Sequence, residues 1–204
     1  MFTGIIEHLG MLAAARTSGA ARVLRIEVPE IAGALKPGDS IAVNGVCLTV
    51  ERGDARAFEA TAVRETLERT TLGGLEPGAG VNLETAATAD RLFGGHLVQG
   101  HVDGVGVVRA FDPVDAGDRT LELEVPEDVH ELCVDKGSIA VDGVSLTVAK
   151  KLGAGRITIA IVPHTYTHTT VAGYRPGDRV NIEADVIARY VREYIRRYQA
   201  AAPR

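Results

Sequence analysis

Residues 40–50 read SIAVNGVCLTV, and residues 138–148 read SIAVDGVSLTV. Nine of the eleven positions are identical, and the two that differ are Asn44/Asp142 and Cys47/Ser145. At roughly 5–7% chance identity per position, such a match is no accident. The duplication extends outward from there. TTLGGLEPGAGVNLE (70–84) aligns with TTVAGYRPGDRVNIE (169–183). More weakly, FTGIIE (2–7) aligns with VQGHVD (98–103), which sets Gly4 opposite Gly100 and Ile5 opposite His101. The offset is 96 to 99 residues throughout. Two long units in tandem describe two homologous domains, not a solenoid of many short repeats.

Each unit reads as all-β. Val, Ile and Thr dominate short runs: RVLRIEV (22–28), SIAV (40–43), CLTV (47–50), RITIAIV (156–162) and RVNIEADV (179–186). Between them stand turn signals such as Lys36-Pro37-Gly38-Asp39, Asn44-Gly45, Asp142-Gly143 and Arg175-Pro176-Gly177-Asp178. Short, regularly spaced strands predict a small barrel, in which closure removes the exposed edges. Residues 88–95 carry no strand pattern, so the units are expected to be 1–97 and 98–186. In the tail, Ile187, Tyr190, Val191, Tyr194, Ile195 and Tyr198 recur at three and four residues. That spacing predicts an amphipathic helix over 187–204, whose tyrosine-bearing stripe suits a subunit interface.

Composition narrows the function. The chain has 204 residues, a net charge of -5, and no basic face for nucleic acid. It has no apolar run of membrane-spanning length and no signal-peptide pattern at its start. Two cysteines make no disulfide framework and fit a reducing cytoplasm.

In the matched strands, Cys47 and Thr49 share one face, while Val46, Leu48 and Val50 share the other. Ser145 and Thr147 repeat the arrangement. Small hydrogen-bonding groups, where a solvated face would carry Lys or Glu, predict two matched pockets. Gly4 and Gly100, expected in matching strands, would allow close approach of a flat ligand. His164 and His168 are four apart, but Pro163 and the threonines around them predict strand or loop. No carboxylate or thiol completes a cluster there or at His96 and His101, so no metal site is expected. The pockets differ in titratable groups. The second has His101, Asp142, Ser145 and His164 where the first has Ile5, Asn44, Cys47 and Glu65.

With MFTGIIE at the start, NGVCLTV, GGHLVQGH at the junction and DGVSLTV, the chain resembles the riboflavin synthase alpha-chain family. The resemblance runs from Met1 to about Val191. It implies two tandem six-stranded Greek-key barrels and a C-terminal helix that associates three subunits. The implied activity joins two molecules of 6,7-dimethyl-8-ribityllumazine by transfer of a four-carbon fragment, with no cofactor. Riboflavin and 5-amino-6-ribitylaminouracil result. An antenna protein of the same fold, which binds lumazine or flavin without turnover, is the alternative. A homotrimer is implied, and lumazine synthase is a candidate partner.

By match to the family, the first pocket takes Gly4, Ile5, Ile6, Cys47, Leu48 and Thr49, then Thr61, Ala62, Val63, Arg64, Glu65 and Thr66. The second takes Gly100, His101, Val102, Ser145, Leu146 and Thr147, then Ala160, Ile161, Val162, Pro163, His164 and Thr165. Lys136 would reach a neighbouring subunit's ligand, and Phe2 would cover a ring face. His101, Ser145 and Thr147 are implied to assist proton transfer and addition. Asp142 and Asp185 would orient them, with Cys47 facing them from the opposing pocket.

Overall fold

The computed structural model describes residues 1–114 and 117–201. The last three residues of the expected tail, 202–204, lie outside the described residues. The first unit forms β1 (His8–Ser18), β2 (Ala21–Glu27), β3 (Ser40–Val43), β4 (Val46–Gly53), β5 (Ala57–Ala62) and β6 (Gly80–Thr85). The second forms β7 (Gly104–Pro113), β8 (Arg119–Glu124), β9 (Ser138–Val141), β10 (Val144–Lys151), β11 (Arg156–Ile161) and β12 (Arg179–Ala184). Each set closes into an antiparallel six-stranded barrel, and the order β1-β2-β5-β4-β3-β6 recurs in the second. The duplication extends to irregularities: β1, β4, β7 and β10 each carry a register shift at matching points.

The short runs fold this way for the reasons their pattern suggests. Alternate residues of β4 and β10 are buried, so Leu48, Val50, Leu146 and Val148 fill the barrels. Asn44-Gly45 and Asp142-Gly143 connect β3 to β4 and β9 to β10 with positive φ at both residues. That is the backbone of a two-residue type I′ hairpin, which asparagine, aspartate and glycine tolerate. Four short helices each set a residue into or against a core: α1 (Pro29–Ala32), α2 (Arg64–Arg69), α3 (Glu127–Leu132) and α4 (Pro163–His168). Helix α5 (Val186–Ala201) comes directly after β12. Val186 is buried and Ala188 packs on the second barrel's core, while Ile187, Tyr190, Tyr194 and Tyr198 stand exposed.

The barrels meet across a pseudo-two-fold seam. A side chain on Gly45 would collide with the backbone of Gly143, and the reverse holds as well, so the two hairpins touch backbone to backbone. Asn82 donates to the Asp142 carbonyl at 2.9 Å, and Asn181 to the Asn44 carbonyl at 2.9 Å. Their side-chain oxygens accept from the Thr170 and Thr71 amides, again across the seam. Two buried asparagines thus satisfy their own polar groups and those of the opposing barrel.

Candidate active site

The segments ahead of β1 and β7 decide the geometry. Gly4 and Gly100 do not lie in strands, as the sequence reading expected. They sit in bends with φ of 77° and 78°, a left-handed conformation natural to glycine. A carboxylate of each barrel's own last strand anchors each bend. Glu84 accepts from the Thr3 and Gly4 amides at 2.7 and 2.9 Å. Glu183 accepts from the Gln99, Gly100 and His101 amides at 2.8, 2.9 and 3.0 Å. Burial raises both carboxyl pKa values, which these donors oppose. The terminal Glu shared by VNLE and VNIE has this anchoring work.

From that anchor each segment crosses to the other barrel. The Ser145 amide donates to the Gly4 carbonyl at 2.7 Å, and the Cys47 amide to the Gly100 carbonyl at 2.9 Å. Ile6 packs on the second barrel's core, and Val102 on the first barrel's. The close approach that the two glycines permit is therefore to a strand. A Cβ on Gly4 would stand 2.6 Å from that of Ser145, and one on Gly100 would stand 2.5 Å from that of Cys47. The sequence-based grouping is exchanged: Gly100, His101 and Val102 belong with Cys47 and Thr49, and Gly4, Ile5 and Ile6 with Ser145 and Thr147.

The remaining expected residues fall into three groups. Thr49, Val63, Arg64, Glu65, Thr147, Ala160, Val162, Pro163 and His164 are exposed, and Thr61, Thr66 and Thr165 are half-buried, at the outer faces and barrel ends. Leu48, Ala62, Leu146 and Ile161 point into the cores, so only their backbone groups can meet a ligand. Phe2 and Asp142 depart from expectation. Phe2 is fully buried with Ala42, Val98 and Ala140 and pairs with Val98 as a β-bridge, so it plugs the seam and cannot cover a ring. Asp142 accepts from Tyr174 Oη at 2.7 Å and from the Asn181 amide at 2.8 Å, also in the seam. Its side chain does not orient Ser145 or His101. Burial pushes its carboxyl up to about 7. Lys136 stands exposed in the left-handed turn before β9.

The two faces carry different chemistry. Beside Ser145 lies a residue the sequence reading did not assign: His96, whose Nδ1 is 2.7 Å from Ser145 Oγ. Burial lowers the pKa of His96, against the raising effect of the nearby Asp185 carboxylate, which favours the neutral ring. A neutral imidazole on a serine hydroxyl can take and return its proton. His101 is exposed on the opposite, Cys47 face. The only sequence signal for His96 was the Gly-Gly-His at the end of an unpatterned linker. The rims differ as well. On α2, Arg64 pairs with Glu68 and Arg69 with Glu65. On α4, His164 and His168 stack at 4.1 Å between ring centroids. The expectation of strand or loop there is corrected, because Pro163 occupies the first helical turn, where a missing N–H costs nothing. Among the described residues, no group of three or more His, Cys, Asp or Glu could hold a metal ion.

The lumazine binding domain model matches residues 3–86 and 99–185, one copy per barrel. The riboflavin synthase of Mycobacterium tuberculosis is 43% identical over 200 residues, which cover 96% of this chain and 98% of that one. The chain belongs to the riboflavin synthase family. The Bacillus subtilis riboflavin synthase, 39% identical, covers 96% of this family member and is itself covered to 90%. A solved structure of LumP complexed with riboflavin shares the fold, with a TM-score of 0.83 and 24% identity over 90% of this chain and 99% of that one.

Proposed function

We propose that this chain is a riboflavin synthase that converts two molecules of 6,7-dimethyl-8-ribityllumazine into riboflavin and 5-amino-6-ribitylaminouracil. One substrate gives up a four-carbon unit and the other gains it. The two products together contain every atom of the two substrates, so the reaction as written needs no added oxidant or reductant. The observation that carries this reading is the pair of matched but unequal faces. Each offers a threonine, a small polar residue and a crossing segment, and one adds a neutral imidazole. Two identical substrates in different roles call for this arrangement.

Residues 1–97 and 98–186 supply the lumazine-binding barrels, and 187–204 the oligomerisation helix and tail. Thr49, His101 and Val102 receive one ring, and Thr147, Ile5 and Ile6 the other. The peptide groups of Leu48, Ala62, Leu146 and Ile161 read the ring edges, and Thr66 and Thr165 meet the ribityl hydroxyls. Ser145 with His96, supported by Asp185, moves protons and assists addition. Holding two rings in register supplies roughly 7–11 kcal/mol in well-oriented systems. The Cys47 and Ser145 faces lie on different barrels, and in the proposed oligomer the Cys47 face of one subunit meets the Ser145 face of the next to stack both rings. The exposed stripe of α5 suits a homotrimer, in which Lys136 reaches a neighbour's ligand. The cytoplasm is the compartment proposed, and lumazine synthase a candidate partner.

Purified protein given the lumazine alone is expected to release one riboflavin per two substrates consumed, unaffected by excess chelator. Stable lumazine fluorescence with no flavin formed would reject the enzyme and leave an antenna protein.

A further inference from the structure

Residues 91–96, between the barrels, lie against the Ser145 face and the segment that crosses to it. Arg91 pins one end, through Glu7 at 2.8 Å and Glu84 at 3.6 Å. His96 pins the other, its amide donating to the Thr3 carbonyl at 3.1 Å and its ring meeting Ser145 Oγ. Between these pins the fit to the pocket is tight. A Cβ on Gly95 would collide with the Thr3 carbonyl oxygen and come within 2.8 Å of Ser145 Cβ. A Cβ on Gly94 would lie 3.4 Å from the Ile5 side chain. Two successive glycines thus let the strap run flat over the residues that hold the second ring.

The next residue outward is Phe93. Its Cα is one peptide, about 3.8 Å, from that of Gly94, so its ring is within reach of the rim at Ile5. Phe93 is 51% exposed, and Ile5 beside the strap is 44% exposed. An aromatic ring left half-covered next to an uncovered aliphatic edge has apolar surface to bury against a flat ligand. The corresponding stretch of the second repeat forms no such strap, because after Ala184 the chain turns directly into α5.

We propose that the strap is a built-in wall of the Ser145 pocket and that Phe93 is a substrate-contacting residue, covering the ring bound beside Ile5. The ring at Ser145 is thereby shielded by its own chain. This inference rests on the function proposed above.

The test is steady-state turnover and riboflavin binding by the full chain carrying Phe93→Ala, Phe93→Leu or, as a control, Met11→Ala, since Met11 is exposed on the outer face of β1, away from the strap. Phe93→Ala is expected to raise KM about ten-fold with kcat within about three-fold, the scale of one aromatic contact. Iodide should then quench bound riboflavin more strongly. Phe93→Leu should recover most of the loss, and Met11→Ala should match the unaltered chain. Normal KM and unchanged iodide quenching in Phe93→Ala, with the unaltered chain turning over, would overturn this inference alone. No turnover by the unaltered chain would overturn the function and this inference with it.

Discussion

The Cys47 face and the Ser145 face are built from the same eleven-residue motif, yet they differ in what lies on them. Cys47 meets the Gly100 bend, with an exposed histidine next to it. Ser145 meets the Gly4 bend, and the inter-barrel strap adds a half-buried imidazole. Duplication supplied two faces of one shape. The difference came from the chain beyond each last strand: a linker that doubles back after β6, and a helix after β12. Under the proposed function, the geometry is copied while proton transfer is confined to one copy.

The comparison can be broken most forcefully by removing polar groups face by face. Ser145→Ala and His96→Ala are expected to lower kcat by roughly 10²–10⁴, the usual contribution of a positioned acid–base group. Cys47→Ser, which installs the hydroxyl of the matching strand, should cost less than ten-fold by the same scale. Rapid-quench turnover of the variants checks this. Equal losses at Cys47 and Ser145 would mean that the faces share the chemistry, and a larger loss for His101→Ala than for His96→Ala would move the imidazole's role to the other face.

The seam sharpens the same contrast. Asn44 serves the first barrel where Asp142, with Tyr174 on it, serves the second. Burial raises the Asp142 carboxyl from 3.8 to about 7. The folded value lies above the unfolded one, so this group's stabilisation is present below about pH 4 and lost as pH rises through about 7. At its full value that shift is about 4 kcal/mol. Asp142→Asn should therefore gain on the unaltered chain between pH 4 and 7 and hold a constant lead above. Denaturant unfolding at several pH values reads this directly, and a lead independent of pH would contradict it.

The crossing segments are the smallest test in energy. Gly4→Ala and Gly100→Ala each force a Cβ onto the opposing strand in a left-handed backbone. Each should cost on the order of 1–3 kcal/mol in denaturant unfolding. Gly38→Ala, where a Cβ meets open space, should cost only the backbone share of that. Equal costs at all three positions would argue against close packing across the seam.

How much of the molecule was legible in its sequence depended on the kinds of contact involved. Strands, hairpins and the two-barrel plan were legible because alternation in CLTV and SLTV, and the Asn-Gly and Asp-Gly turns, are local. The exchange of Gly4 and Gly100 between barrels was not. Both repeats carry the same pattern, so a segment that packs on its own barrel and one that packs on the other leave identical traces. Phe2 looked like a ring-facing aromatic near a terminus, but the seam needed a plug of that size. His96 has no counterpart in the repeat, and only Gly94 and Gly95 before it hinted at a tight approach. Pro163 suggested a break, although at a first turn it starts a helix as readily.

The central claim is that each substrate site joins the strands of one barrel to the leading segment of the other repeat. A crystal structure of the full chain with riboflavin bound at both faces tests it most directly. One ring should touch Thr49 together with His101 and Val102, and the other Thr147 together with Ile5 and Ile6. A ring held by Thr49 and Ile5, or by Thr147 and His101, would contradict it.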